Sequence, residues 1–493
     1  MAIGAAGAGK SAMLTPLVAA WREQGRDVHG ASMAWRQADE LTAAGIDKRD
    51  VAAFSVLIDQ LRGGSLRLTE RSVVSVDEFG LLGTRQGLEL LRLREQMGFS
   101  IVALGDDKQC ESIQAGAIIE LSRRALGAEQ VPQILTTVRQ QTERERQIVG
   151  LFREGRAAEA LDMKRADGTA EMVPGGYDGV VARVARLYAE RLLATGEAPT
   201  IAAPTNQDAH RISEGVRQER RRLGQVGPDL MTVRATDGER NYSLALAQGD
   251  RVRLFRSTGA QYEKGRGGGI GRNGSVLEVI DASEQGLTLR ARTGRTGLVK
   301  WADLTHASGR IHLAYGDALT IHTAQGVTSC EHILALPAGS QAIDGKAGYS
   351  GNTRHRQVSY LLTNEAAERV EVRKRRPLND TRDVTLNDRW ANVARSLAYQ
   401  PDKDMAVALF ERVGQIRRGA VRQFHKVMPD VHRAHRETPA AELSARRKME
   451  RSLDQVRAVL HQAVERLRDA PKHLMDRFHP RGRTLGQGRG LEL

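Results

Sequence analysis

Residues 4–11 have the glycine spacing of a loop that wraps around a phosphate group. Glycines allow backbone N–H groups to turn inward, and the helix predicted over residues 11–24 would point its positive end at the anion. In this interpretation Lys10 neutralises the β- and γ-phosphates of a nucleotide, and the Ser11 hydroxyl binds Mg²⁺. The predicted nucleotide-binding residues are Gly4, Ala5, Ala6, Gly7, Ala8, Gly9, Lys10 and Ser11.

An acidic pair follows the β-branched run of residues 72–76. Asp77 is suited to hold Mg²⁺ through water, and Glu78 is suited to orient and deprotonate an attacking water. An isolated acidic pair at the end of a strand is usually only a solvated turn. The phosphate loop upstream favours the catalytic interpretation.

A second apolar run, residues 100–104, ends in Gly105-Asp106 and is followed by Gln109. Gln109 can hydrogen-bond the γ-phosphate or the attacking water. Strands that end in polar residues between helical segments indicate a parallel α/β sheet, which binds ligands at the carboxyl ends of its strands.

The composition favours a polyanionic partner, because 74 Lys and Arg residues against 60 Asp and Glu give a formal net charge of +14. Nucleic acid fits this charge better than a membrane surface, and a basic tail on a neutral body is the alternative. Cys110 and Cys330 lie far apart, which argues against a disulfide framework and a zinc site. No apolar run is long enough for membrane insertion, so a cytoplasmic protein is expected.

Taken in order, these motifs resemble those of superfamily-1 DNA helicases of the RecD-like, 5′-to-3′ branch. They are most similar to the helicase module of conjugative transfer relaxases, and the resemblance covers residues 1–364. Beyond the three motifs above, it rests on Val138-Arg139-Gln140, on residues 320–328 around Gln325, and on Tyr349 with Thr353-Arg354-His355-Arg356.

The resemblance implies an ATP-dependent helicase or translocase on single-stranded DNA, with ATP and Mg²⁺ held between two RecA-like domains. Its context would be conjugative plasmid transfer, with other transfer proteins as partners. The implied catalytic residues are Glu78, Gln109, Arg139 and Arg354. Gln325 would join the nucleotide site, and Ser11 and Asp77 would hold the metal.

The predicted fold class is α/β, with two RecA-like P-loop NTPase domains, a small SH3-like β-barrel insertion and a helical basic C-terminal region. The predicted parts are a first RecA-like domain over residues 1–142, a helical connector over 143–195, a second RecA-like domain over 196–364 with the barrel at about 236–312, helices over 365–470 and a disordered tail over 471–493.

Three departures from the family pattern leave other interpretations open. Met1-Ala2-Ile3 is too short for the strand expected before the loop, and neither an upstream adenine-contacting glutamine nor a nicking domain has a counterpart. This suggests a truncated gene, a misassigned start or a fragment. Thr323-Ala324 replaces Lys-Ser, and Gly351-Asn352-Thr353 replaces Ala-Leu-Ser. The alternatives are a RecD-like repair helicase and a truncated relaxase remnant that binds DNA or partners without productive ATP hydrolysis.

Overall fold

The computed structural model describes residues 1–401, except for residues 113, 115 and 263–266. The larger part of the predicted C-terminal helical region and the predicted tail over residues 471–493 therefore lie outside the described residues. The described residues form one compact unit by their contacts.

The first part of the chain alternates strands and helices around a parallel sheet, as its pattern predicts. Strand β4 is buried along its whole length because helices cover both faces of the sheet. The six strands lie in the order β3-β2-β4-β5-β1-β6. The strands are β1 (Ala2–Gly4), β2 (Asp27–Ser32), β3 (Val51–Ala53), β4 (Ser72–Val76), β5 (Ser100–Gly105) and β6 (Gln133–Ile134), and the helices are α1 (Lys10–Glu23), α2 (Trp35–Glu40), α3 (Phe54–Arg62), α4 (Thr84–Met97) and α5 (Ile118–Leu126).

The expectation that residues 1–3 cannot supply the strand before the loop is wrong. Three residues suffice, because β1 pairs in parallel with β5 on one side and β6 on the other. Ile3 is buried in the apolar core of this sheet. The loop therefore starts from the interior of the sheet.

The next part of the chain, predicted to be a helical connector over residues 143–195, contains a strand as well as helices. The helical prediction is wrong for β7 (Ala170–Val173), which pairs with a later strand and completes one edge of the second sheet. Side-chain caps fix two helix starts, since Thr142 and Thr205 accept bonds from backbone N–H groups three residues on. The elements are α6 (Glu143–Arg153), α7 (Ala157–Ala166), β7, α8 (Gly176–Thr195), β8 (Thr200–Ala203) and α9 (Asn206–Arg222).

Residues 229–315 form a nine-stranded, mostly antiparallel sheet around its own apolar core. The strand order is β10-β9-β17-β11-β14-β15-β16-β12-β13. The small barrel predicted at about residues 236–312 falls in this region, and its SH3-like character stays a prediction. The elements are β9 (Asp229–Thr236), β10 (Asn241–Ala247), β11 (Arg251–Leu254), β12 (Thr258–Gln261), β13 (Gly267–Gly271), β14 (Val276–Ser283), β15 (Gly286–Arg290), β16 (Thr296–Lys300), α10 (Trp301–Leu304) and β17 (Ile311–Tyr315).

The chain then returns to the second parallel sheet, whose order is β18-β8-β19-β20-β7. The α/β class with two parallel sheets is thus confirmed. Trp390 and Leu397 of the last described helix pack into the core of this sheet. No helix within the described ranges has both the length and the apolar character needed to cross a membrane. The elements are β18 (Ala318–Thr320), β19 (Ser329–Leu336), α11 (Gly345–Gly351), β20 (His355–Asn364), α12 (Glu365–Arg375) and α13 (Leu386–Ala398).

The turn between β10 and β11 packs closely against the backbone that follows α9, and this contact can be tested. Gly249 has a φ of 86°, and a Cβ there would lie 2.2 Å from the backbone oxygen of Gln225. We expect Gly249→Ala to lower the free energy of unfolding by about 3 kcal/mol, from left-handed strain and a clash with rigid backbone. Gly224→Ala is the matched control: its φ is 72° with no atom within 4 Å of the new methyl group, so a loss of about 1 kcal/mol is expected. Equal losses in urea unfolding would contradict the predicted clash.

Candidate nucleotide site

The loop between β1 and α1 owes its shape to glycine. Gly7 and Gly9 have φ values of 72° and 83°, a region that side chains disfavour. A Cβ on Gly7 would lie 2.3 Å from the Cβ of Arg139, so the backbone approaches that arginine closely. Lys10 begins α1, and its Nζ donates a hydrogen bond to the Gly4 carbonyl at 3.0 Å. The cation therefore folds back along the loop.

The loop borders a cavity of about 470 Å³ to which both parallel sheets contribute. Loop residues, an acidic group and a segment after β6 come from the first sheet. The second sheet contributes the loop after β18 and the start of β20. The lining residues are Gly7, Ala8, Gly9, Lys10, Ser11, Glu40, Asp77, Glu78, Val138, Arg139, Gln141, Gly326, Thr328 and Arg356.

The acidic pair lies at this cavity, directly after β4. Asp77 is buried and accepts a hydrogen bond from the Glu78 N–H at 2.9 Å. Burial, together with the nearby Glu78, raises the pKa of Asp77 to about 6, although Lys10 opposes the shift. Glu78 has φ 50° and is the only non-glycine residue with positive φ among the described residues. Such strain costs about 1–3 kcal/mol and concentrates at functional sites.

Arg139 belongs to a segment that bridges the two sheets. The N–H of Val138 donates to the Gly7 carbonyl at 2.9 Å, which attaches the segment to the phosphate loop. The Arg139 guanidinium lines the cavity and donates to the Thr353 carbonyl at 2.8 Å. Burial and the neighbouring Arg354 lower the pKa of Arg139 to about 10, while Glu78 opposes the shift, so the group keeps its charge at neutral pH.

Gln109 is turned away from the cavity, toward Asp106. Its Nε2 donates to Asp106 Oδ2 at 3.2 Å, and its buried Oε1 has no hydrogen-bond partner within the described part of the chain. Asp106 also accepts from Arg153 at 3.2 Å and from Tyr349 at 3.0 Å. The carboxylate of Asp106 is thus the centre of a buried polar network behind the loop.

Two more predicted residues lie near the cavity without lining it. Gln325 is 2% exposed, and neither atom of its amide has a partner among the described residues. Arg354 is equally buried and donates to the Ser350 carbonyl at 2.9 Å and to Thr353 Oγ1 at 2.8 Å. Burial lowers the pKa of Arg354, and Glu78 opposes that shift. Gly4, Ala5 and Ala6 form the stem of the loop and do not line the cavity either.

The structure adds residues to the candidate site that the motifs did not identify. Arg356 is exposed and lines the cavity, and Glu40 of α2 and Gln141 line it too. Arg356 could have been predicted from the sequence, because it is the second arginine of the motif around Arg354. Glu40 carried no signal of its own.

The chain is similar in sequence to several known proteins. Residues 1–174 match the sequence model of a family described as an AAA domain. The chain is 25% identical over 362 residues to a probable conjugal transfer protein TraA from Sinorhizobium fredii (strain NBRC 101917 / NGR234), covering 72% of this chain and 30% of the relative. It is 26% identical over 361 residues to a conjugal transfer protein TraA from Rhizobium radiobacter, with the same coverage of 72% and 30%. The chain thus spans 30% of the length of these relatives.

Among solved structures, the Pif1 helicase from Candida albicans matches with a TM-score of 0.48 and 16% identity, over 74% of this chain and 91% of that one. The chain is thus similar to an AAA domain over residues 1–174 and, over most of its length, to part of the conjugal transfer proteins TraA.

Proposed function

We propose that this chain is an ATP-driven translocase on single-stranded DNA that separates strands during conjugative DNA transfer. One observation carries the proposal: a single cavity is lined by a phosphate loop and an acidic pair from one parallel sheet and by residues of the other. A nucleotide in that cavity contacts both sheets at once. The similarity to TraA proteins supports the conjugative context.

Binding begins at the loop, where the helix start and the inward N–H groups favour phosphate. On binding, the Lys10 ammonium group leaves the Gly4 carbonyl and contacts the β- and γ-phosphates instead. Ser11 and Asp77 offer the hard oxygen donors that Mg²⁺ prefers, and both line the cavity. When bound there, Mg²⁺ would neutralise charge on the phosphate oxygens. Asp77 is ionised at neutral pH despite its raised pKa and so retains its capacity for metal.

The chemical step is assigned to Glu78 and the arginines. Glu78 orients the attacking water and accepts its proton. Arg139 and Arg356 both reach the cavity, and their charges stabilise the negative charge on the phosphoryl group that is transferred. Because Arg356 belongs to β20, loss of the γ-phosphate removes an attraction between the sheets. The resulting opening would move them along DNA that is held mainly through its phosphates.

A second candidate function is DNA or partner binding without productive hydrolysis, and the loop after β18 favours it. Ala324 is buried in an apolar cluster, and the Thr323 hydroxyl lies 2.8 Å from the Thr320 hydroxyl. This loop therefore directs no lysine or free hydroxyl toward the cavity at these positions. If the chain binds nucleotide but hydrolyses none, either with or without DNA, this second candidate function is the correct one.

The first prediction from the proposed function concerns hydrolysis of ATP in the presence of single-stranded DNA. Lys10→Ala and Glu78→Gln should each lower the stimulated rate by about 100-fold or more, because one removes the phosphate-binding cation and the other the general base. Lys48→Ala and Glu129→Gln, at exposed positions, should keep the parent rate. Phosphate release is the measurement. Unchanged rates in the Lys10 and Glu78 variants would rule out the proposed motor.

The second prediction follows from the raised pKa of Asp77. Between about pH 4 and pH 6 the folded protein holds a proton on Asp77 that the unfolded chain has lost, so this group lowers stability as pH rises through that window. Asp77→Asn should therefore stabilise the protein, and the gain at pH 7.5 should exceed the gain at pH 4.5 by about 1–2 kcal/mol.

Urea unfolding of protein without added nucleotide, at both pH values, measures this difference. Asp281→Asn removes an exposed carboxylate and serves as the control with no such pH dependence. A gain that is the same at both pH values would show that Asp77 titrates at its ordinary value.

A further inference from the structure

A buried hydroxyl from the second sheet reaches the stem of the phosphate loop. Tyr349 lies on α11 and is 1% exposed. Its Oη accepts a hydrogen bond from the Ala6 N–H at 2.9 Å and donates to Asp106 Oδ2 at 3.0 Å. Ala6 belongs to the loop and Asp106 follows β5, so one side chain joins α11 to two functional segments of the first sheet.

The direction of these bonds is fixed by chemistry. A backbone N–H only donates, so the Tyr349 oxygen must accept from Ala6 and use its own proton for Asp106. Burial and the adjacent Asp106 raise the pKa of Tyr349, which keeps that proton in place across the neutral range. Arg153 on α6 contacts the other oxygen of Asp106 at 3.2 Å and holds the carboxylate in position.

Helix α11 is packed tightly against elements of the second sheet. Gly348 packs so closely on α13 that a Cβ there would lie 2.4 Å from Leu397 Cδ2. The Gly345 N–H donates to the Tyr399 carbonyl at 2.6 Å. The Arg354 side chain is in turn bonded to the Ser350 carbonyl at the end of this helix. A shift of the second sheet therefore moves Tyr349 and Arg354 together.

The loop has other hydrogen bonds that do not involve Tyr349. The Ala5 N–H donates to the Ile134 carbonyl at 2.9 Å, and the Ala8 N–H donates to the Ala5 carbonyl at 3.0 Å. The bond to the Tyr349 hydroxyl is thus an additional contact of the loop, and it joins the Ala6 amide directly to α11.

We propose that Tyr349 is a positioning residue that couples movement of the second sheet to the geometry of the phosphate loop. While the hydroxyl is engaged, the Ala6 N–H is held by α11. When DNA displaces the second sheet, the contact is released and the loop adopts the geometry for rapid turnover. This inference rests on the proposed function, because it assigns the structural link through which DNA stimulates hydrolysis.

Tyr349→Phe removes only the hydroxyl and tests the coupling. Because the variant lacks the contact that DNA would release, we expect its basal rate of ATP hydrolysis to rise while its DNA-stimulated rate stays near that of the parent. The ratio of DNA-stimulated to basal hydrolysis should therefore fall about fivefold or more at saturating ATP. The KM for ATP and the Kd for single-stranded DNA should stay within about twofold of the parent, because the remaining loop contacts are intact. Selective loss of stimulation is a result that general destabilisation would not give.

Two further variants separate coupling from loss of packing. Tyr315→Phe removes another buried hydroxyl, which donates to the Ala245 carbonyl at 2.6 Å in the nine-stranded sheet. Ser350→Ala removes a different contact of α11 with the first sheet, the bond from the Cys110 N–H at 2.9 Å, without touching the loop. Both should retain the parent stimulation ratio, and the thermal midpoint of each variant records any stability cost.

The outcomes distinguish this inference from the proposed function. A parent chain whose hydrolysis DNA does not stimulate would overturn both. A stimulated parent with an equally stimulated Tyr349→Phe variant would overturn the coupling alone. A loss of stimulation in Ser350→Ala as large as in Tyr349→Phe would assign the effect to α11 packing and overturn the role of the hydroxyl.

Discussion

Arg139 and Arg356, the two arginines that line the cavity, lie in segments that are joined by hydrogen bonds between residues 137–141 and residues 353–356. Arg139 donates to the Thr353 carbonyl, the Gln140 amide donates to the His355 carbonyl at 3.0 Å, and the Gln141 N–H donates to the Arg356 carbonyl at 2.8 Å. Gln140 is fully buried, and the Thr137 hydroxyl fixes its amide at 2.7 Å. Because buried amides are costly to leave unpaired, we expect these three hydrogen bonds to be kept or lost together.

The same contact explains why the candidate nucleotide site includes residues so far apart in the chain. The segment is attached to the phosphate loop through Val138, to β20 through the carbonyl groups of His355 and Arg356, and to the residues just before β20 through the Thr353 carbonyl. A displacement of β20 is therefore transmitted to Arg139 and to the loop. A nucleotide would bind across a boundary that is already bridged by protein hydrogen bonds, and it would add to that bridge when it binds.

Much of the first sheet and of the acidic pair could be predicted from the sequence. Polar residues after apolar β-branched runs, such as Asp77 and Asp106, obey a general rule for parallel sheets, so local pattern was sufficient. Strand β7 was missed because four residues between helices give little periodicity, and only its pairing with β20 makes it a strand. The contact between Tyr349 and Ala6 spans 343 residues, and no local pattern encodes such a distance. The motif around Arg354 contains Arg356, but the order of residues does not indicate which of these two arginines lines the cavity.

The bond from Lys10 to the Gly4 carbonyl sets a limit on affinity. A phosphate must displace an acceptor that belongs to the loop itself, so the free energy of that internal contact is subtracted from the free energy of binding. The same contact is available again as soon as a phosphate leaves, which shortens the residence time of the product. For the proposed motor, which would release its spent nucleotide in every cycle, a lysine with an internal alternative partner would favour rapid turnover over tight binding.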